Sequence, residues 1–179
     1  LLAQDYAPAS KHSPKPKELR ESHFIPLITD RDSLDPQRAG FIDRAEKYVV
    51  HLDDMLPSGL CHLDYDNGNV LTVGDTITAV LDFDDLEFAP FIQCLAYSVW
   101  DVVYDKGTPA IQLYLEAYEK VRPLSDAERD LLLPILLFRH YVIGCKDIAD
   151  RQMDDSLLRQ YIGLEKTLLD LHLDTLLPS

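Results

Sequence analysis

Basic residues are scarce in this chain. Only 17 of its 179 residues are Lys or Arg, against 31 Asp or Glu, for a formal net charge of −14. Proteins that grip a phosphate backbone do so with clustered Lys and Arg, so this balance argues against DNA, RNA and anionic membranes as partners. Long apolar runs are lacking as well. The longest, residues 131–138, has eight positions and contains Pro134, far short of the roughly 20 needed to span a membrane. The first residues, Leu1-Leu2-Ala3-Gln4-Asp5, lack the basic-then-apolar order of a signal peptide. Cysteine is sparse, odd in number and widely spaced, at 61, 94 and 145. That pattern predicts free thiols and a cytoplasmic protein, not a disulfide framework. An initiator Met is missing too, which leaves open that the chain is part of something longer.

What is there suffices for one domain. Hydrophobic residues make up 46% and charged residues 27%, which excludes collagenous, low-complexity and wholly disordered classes. Residues 1–35 carry Pro8, Pro14, Pro16 and Pro26 and a basic cluster of Lys11, Lys15, Lys17 and Arg20 without a sustained period, and read as a linker or a segment draped over a surface. Asp35-Pro36 opens a helix. Its apolar residues Phe41, Ile42, Ala45, Tyr48, Val49, Leu52, Met55 and Leu56 recur at helical spacing, so the helix is expected to run to Pro57. Residues 59–86 then read as short strands and turns, with strands over 60–63, 70–73 and 76–83. A Gly74-Asp75 turn of the II′ kind joins the last two. Helices follow over 91–104, 109–121, 126–149 and 156–176. A Ser125-x-x-Glu128 capping box opens the third, and Pro134 and Gly144 are expected to kink or divide it. The fold class is therefore α+β, mainly α: a helical body carrying a small β-hairpin region.

Polar chemistry concentrates in that region. From Cys61 to Glu87 there are seven acids (Asp64, Asp66, Asp75, Asp82, Asp84, Asp85, Glu87) and no Lys or Arg. On one strand Asp82 and Asp84 would share a face about 6 to 7 Å apart, a repulsion of roughly 2 to 3 kcal/mol at a dielectric near 20. A divalent cation would offset it, and Mg2+ prefers oxygen ligands. A solvated acidic rim is the alternative. Antiparallel pairing across the hairpin would also bring Asn69 beside Asp82. An Asn beside an Asp, with a further Asp in the same loop, suits phosphoryl transfer: one carboxylate orients the attacking hydroxyl while the other two side chains hold the metal.

His62-Leu63-Asp64 with Asn69 five residues after the Asp resembles the H-x-D-x-x-x-x-N catalytic loop of protein-kinase-like enzymes, and Asp82-Phe83-Asp84 resembles their D-F-G segment. With the short hairpin between them, the wording is most similar to the aminoglycoside phosphotransferase (APH) and choline kinase-like family, densest over residues 59–96. The resemblance implies that residues 36–179 form that fold's C-terminal lobe, with a catalytic loop at 61–69, a metal-binding segment at 82–85 and substrate-side helices over 90–179. It implies Asp64 as the catalytic carboxylate, and Asn69 and Asp82 as magnesium ligands, with Asp84 either helping a second metal or finishing the strand. It casts His62 as loop support. Asp66 reads best as an Asx-turn residue. Leu63 and Cys94 depart from the pattern, standing where the family has a small Gly and an Asp that buttresses the loop.

The seven glycines form neither G-x-G-x-x-G nor G-K-[ST], and no Lys sits in a V-A-I-K-like strand. The resemblance therefore implies that the nucleotide-binding N-terminal lobe lies outside this chain, which alone would not turn over. For the intact protein it implies a Mg2+-dependent transfer of the γ-phosphoryl of ATP or GTP to a small-molecule hydroxyl; choline, homoserine, sugars and other alcohols are acceptors in the family. Asp101, Asp105, Glu116, Glu119, Asp147 and Asp150 suit a cationic, amino-bearing acceptor, and equally suit solvated helix faces. Two other readings compete: a non-catalytic binding or regulatory module that keeps the lobe, and a metal-dependent phosphohydrolase, for which a His-rich metal set is lacking. Oligomeric state is not legible.

Overall fold

The computed structural model describes residues 18–20, 25–28 and 30–172. The basic residues at 11, 15 and 17, the side chain of Arg20 and the end of the last predicted helix lie outside them. Leu19, Ile25 and Ile28, within the first 35 residues, are buried in the main core.

Asp35 caps the first helix, α1 (Pro36–Lys47), by accepting from the backbone N–H groups of Gln37 and Arg38, with Pro36 at the first helical position. That position tolerates Pro because its N–H would have no helical partner. The helix ends nine residues before the expected Leu56, and the chain turns into β2 (Val49–His51), which pairs antiparallel with β1 (Glu18–Arg20). The β-branched Val49-Val50 pair favours a strand. The helical spacing misleads because Val50, Leu52 and Leu56 enter the same core as Phe41, Ile42 and Ala45, but from an extended segment.

Strand β3 (Ser58–His62) pairs with β6 (Leu86–Pro90), a strand the sequence reading did not assign, in the register Ser58 to Pro90 through His62 to Leu86. Pro90 hides that strand, closing it and capping the next helix at once. Between them, β4 (Val70–Val73) and β5 (Thr76–Val80) form the expected hairpin. Of its two turn residues only Gly74 takes a positive φ, as a II′ turn requires. The second arm stops at Val80, short of the expected Phe83. Asp82 and Asp84 consequently do not share a strand face: Asp82 sits in the left-handed region at φ 56° and Asp84 lies in the turn that follows. Asp tolerates that region better than most side chains.

The body is helical: α2 (Phe91–Lys106), α3 (Pro109–Val121), α4 (Asp126–Ala149) and α5 (Asp155–Leu169). The Ser125–Glu128 capping box is formed at the start of α4, which runs through Pro134 and Gly144 undivided. Gly144 serves close packing: a Cβ there would stand 2.5 Å from the Phe41 ring. α4 is the central element, with α2, α1 and α5 packed along it. Phe41, Trp100, His140, Tyr141 and Tyr161 interlock edge-on or tilted in its core. A fully buried side chain such as Phe41 contributes about 1.5 to 3 kcal/mol. Among the described residues, no helix is long and apolar enough to cross a membrane.

Candidate active site

The loop from His62 to Asn69 is tied by its own polar groups. Asp66 N–H donates to the Asp64 carbonyl at 3.1 Å, and Asn69 N–H to the Asp66 carboxylate at 2.9 Å. Asp66 is thus the turn-former the sequence suggested. The Asn69 amide nitrogen donates both to the Asp64 carbonyl, at 2.8 Å, and to Asp64 Oδ2, at 3.2 Å. The other Asp64 oxygen, Oδ1, accepts from Arg139 Nη2 at 3.1 Å. The Asp64 carboxylate is therefore fixed from two sides, yet 36% of its side chain stays exposed.

Arg139 is the site residue that sequence reasoning missed. It comes from α4, 75 residues further on, and its guanidinium also lies 4.7 Å over the ring of Tyr97. The available signal was a cation directly after the apolar run from Leu131 to Phe138; such a side chain, carried into the interior, needs a partner.

His62 Nε2 stands 2.8 Å from the Leu81 carbonyl, so Nε2 carries the proton and donates. Its ring packs against Tyr65 and, at 4.9 Å between centroids, Phe83. On the other side, Cys94 Sγ donates to the His62 carbonyl at 3.2 Å. The thiol thus supplies a bond from α2 to the loop at the position where the family pattern has an Asp.

The hairpin register places Asn69 opposite Leu81, whose N–H donates to the Asn69 carbonyl at 2.8 Å, so Asp82 is one position beyond the expected pairing. With its amide nitrogen committed to Asp64, Asn69 leaves Oδ1 as the oxygen available to a ligand. Asp82 and Asp84 are exposed. Asn69 Oδ1 and the Asp82 carboxylate are hard oxygen donors of the kind Mg2+ takes. No three His, Cys, Asp or Glu side chains group for a metal among the described residues. Two protein ligands are nevertheless in keeping with Mg2+, which retains waters and substrate oxygens.

Beside the loop, a cleft of about 330 Å³ lies between Asp66–Gly68 and the helices α2, α4 and α5. Asp101, Asp105 and Asp147 line it together with Trp100, Tyr104 and Tyr161. Of the six acids noted on the helices, these three converge there and Glu116, Glu119 and Asp150 do not. Asn67 donates to Asp105 at 3.0 Å and Tyr161 to Asp147 at 2.8 Å, which fixes two of the acids. Burial pushes the Asp101 carboxyl up to about 7, and Asp66, Asp64 and Asp105 add to the rise while Arg139 opposes it. One Asp101 oxygen, Oδ2, is buried without a hydrogen-bond partner.

The sequence that carries the loop and hairpin is similar to those of known proteins. The chain is 33% identical over 110 residues to a homoserine kinase of Afipia carboxidovorans, covering 57% of this chain and 33% of that protein. It is 30% identical over 137 residues to the homoserine kinase of Rhodospirillum rubrum, covering 72% of this chain and 41% of that one. The homoserine kinase of Rhizobium johnstonii is 38% identical over 91 residues. This chain thus spans well under half the length of these relatives. The phosphotransferase enzyme family (APH) matches residues 4–131, a span that takes in the whole of the loop, hairpin and α2. On that match, and on the loop it contains, the chain belongs to the APH phosphotransferase family.

Proposed function

We propose that this chain is the C-terminal lobe of a small-molecule kinase that moves the γ-phosphoryl of a nucleoside triphosphate, ATP or GTP, to the hydroxyl of an amino-bearing acceptor. The observation that carries this reading is the Asp64 carboxylate, held by Arg139 and Asn69 yet open to solvent. An aligned carboxylate can accept the proton of an attacking hydroxyl in line with the phosphoryl group. Asn69 and Asp82 would hold Mg2+, which neutralises phosphate charge when bound. His62 ties the loop to the segment entering Asp82 through its bond to Leu81, so the proposed base and the proposed metal ligand keep a fixed relation. The phosphate-gripping lobe would be supplied by sequence beyond this chain, in keeping with its share of the relatives' length.

The acceptor reading rests on the cleft. Homoserine, named in the relatives' activity, carries a hydroxyl and an ammonium group. Asp101, Asp105 and Asp147 offer that ammonium its counter-charge, and pairing there would offset the burial and the neighbouring carboxylates that raise Asp101. The test is phosphate transfer by the intact protein, followed as ADP or GDP release over a panel of amino alcohols, amino acids and uncharged alcohols. Homoserine or a close amino-bearing alcohol should be the best acceptor, and Asp64→Ala should abolish transfer. Unchanged turnover in Asp64→Ala would falsify the assignment of the base. No transfer to any acceptor by the intact protein would favour a binding module instead.

A further inference from the structure

We propose that Cys61 and Cys94 form a dithiol site that closes to an intramolecular disulfide when a hydroperoxide reaches it. The two cysteines come from different elements and line one cavity. Cys61 Sγ, on β3, lies 3.4 Å from the Ala89 carbonyl and 3.9 Å from that of Pro90, the N-cap of α2. Cys94 Sγ, in the first turn of α2, lies 3.2 Å from the carbonyl of His62, the residue after Cys61. Cys94 Sγ thus lies against the carbonyl of the residue after Cys61, and Cys61 Sγ against the two residues that lead into the helix carrying Cys94.

Access is unequal. Both cysteines line a cavity of about 270 Å³ shared with Tyr65, Phe91, Ser98 and Tyr114. Cys94 is half-buried there, whereas Cys61 is 3% exposed. Cys145, on α4, is fully buried and does not line that cavity. The neighbouring Cys61 thiol, with His62, draws the Cys94 thiol down to about 7 against burial, whereas Cys94 and burial push the Cys61 thiol up.

The chemistry balances with hydrogen peroxide as oxidant. The Cys94 thiolate attacks one peroxide oxygen, the O–O bond breaks and hydroxide leaves, giving a sulfenic acid. The Cys61 sulfur then attacks Cys94 Sγ; the S–O bond breaks, the S–S bond forms, and hydroxide departs with the Cys61 proton as water. Counting the proton Cys94 first released, two thiols and one peroxide become one disulfide and two waters. Cys94 then has no S–H for the His62 carbonyl, so α2 loses that bond to the loop.

The test uses the folded chain and does not rely on phosphate transfer, so its failure leaves the proposed function standing. The chain is treated with hydrogen peroxide, denatured, alkylated with iodoacetamide and mapped by mass spectrometry. A Cys61–Cys94 cross-linked peptide should dominate and vanish with dithiothreitol, while Cys145 is recovered alkylated. Cys61→Ser should leave Cys94 as a sulfenic acid trapped by dimedone. Recovery of both Cys61 and Cys94 as alkylated thiols, or a cross-link to Cys145 in their place, overturns the proposal; wild-type mapping decides this even where the variant fails to fold.

Discussion

Two arginine–carboxylate pairs in this protein use the same groups to opposite ends. Glu165, on α5, accepts from Arg44 Nε at 2.6 Å and Nη2 at 2.7 Å, and from the Tyr141 hydroxyl at 2.6 Å, with its side chain 6% exposed. Asp64 accepts one bond from Arg139 and one side-chain bond from Asn69, at 3.1 and 3.2 Å, and stays partly open. The first carboxylate is saturated by short bonds and pins α1 and α4 to α5. The second is held in orientation with lone pairs left over, as the proposed base requires. Saturation serves stability, whereas incomplete saturation with fixed orientation serves chemistry.

That contrast can be broken at either pair. The largest expected effect is on transfer: Asp64→Ala should lower turnover of the intact protein by about 10²- to 10⁴-fold, the range for a positioned acid or base. Its unfolding free energy should move less than that of Glu165→Gln. The reverse result in parallel kinetics and urea unfolding would invert the two roles. Next, Glu165→Gln should cost about 3 kcal/mol in urea unfolding, the lower end for a broken buried pair because Arg44 is partly exposed. Arg44 first, then Tyr141, hold the Glu165 carboxyl below its ordinary value against burial. Its stabilising contribution is therefore present above the unfolded value and lost as pH falls through the folded one. The variant should flatten that acid limb of stability.

Arg139→Gln comes third, with about a tenfold fall in turnover, as for a charge-assisted hydrogen bond of about 1.5 kcal/mol. It should also raise the Asp101 carboxyl further, since Arg139 is the group that opposes its rise; an NMR titration of Asp101 reports that directly. The smallest effect is that of Asp101→Asn. Asp101 titrates at about 7 in the folded chain, against an ordinary 3.8. The protonated form is thus favoured in the native state, and stability is lost as pH rises from the unfolded value through the folded one. The Tm advantage of the Asn variant should widen between about pH 5 and about pH 8. An equal advantage at both ends would remove the buried, crowded carboxyl from the account.

Legibility in the sequence followed the range of the interactions. The bounds of α3 and α4 could be read because their signals are local: Pro109 at the start of one, and the Ser125 capping box at the start of the other. The hairpin was legible through Gly74, and Asp66 through its reach to the Asn69 N–H. Strand β6 was not, because its pairing with β3 is set from a distance and its sequence ends in Pro. The overrun of α1 had another cause: burial in one core continued its apolar spacing beyond the helix itself. At the candidate site, the loop residues were adjacent in sequence and could be found together. Arg139 and the cleft acids on α2 and α4 are brought in by helix packing, which no local pattern reports.

The middle of α4 carries an unusual density of information. Within nine residues, Arg139 reaches Asp64, His140 accepts from Trp100, Tyr141 donates to Glu165, Gly144 clears the Phe41 ring and Asp147 lines the cleft. Successive positions on one helix thus answer to different neighbours, and few are spare. Mutational drift should therefore be slowest along this segment, and a saturation library screened for folding and function should recover fewer variants there than in α3, which leaves Leu113 and Val121 largely exposed.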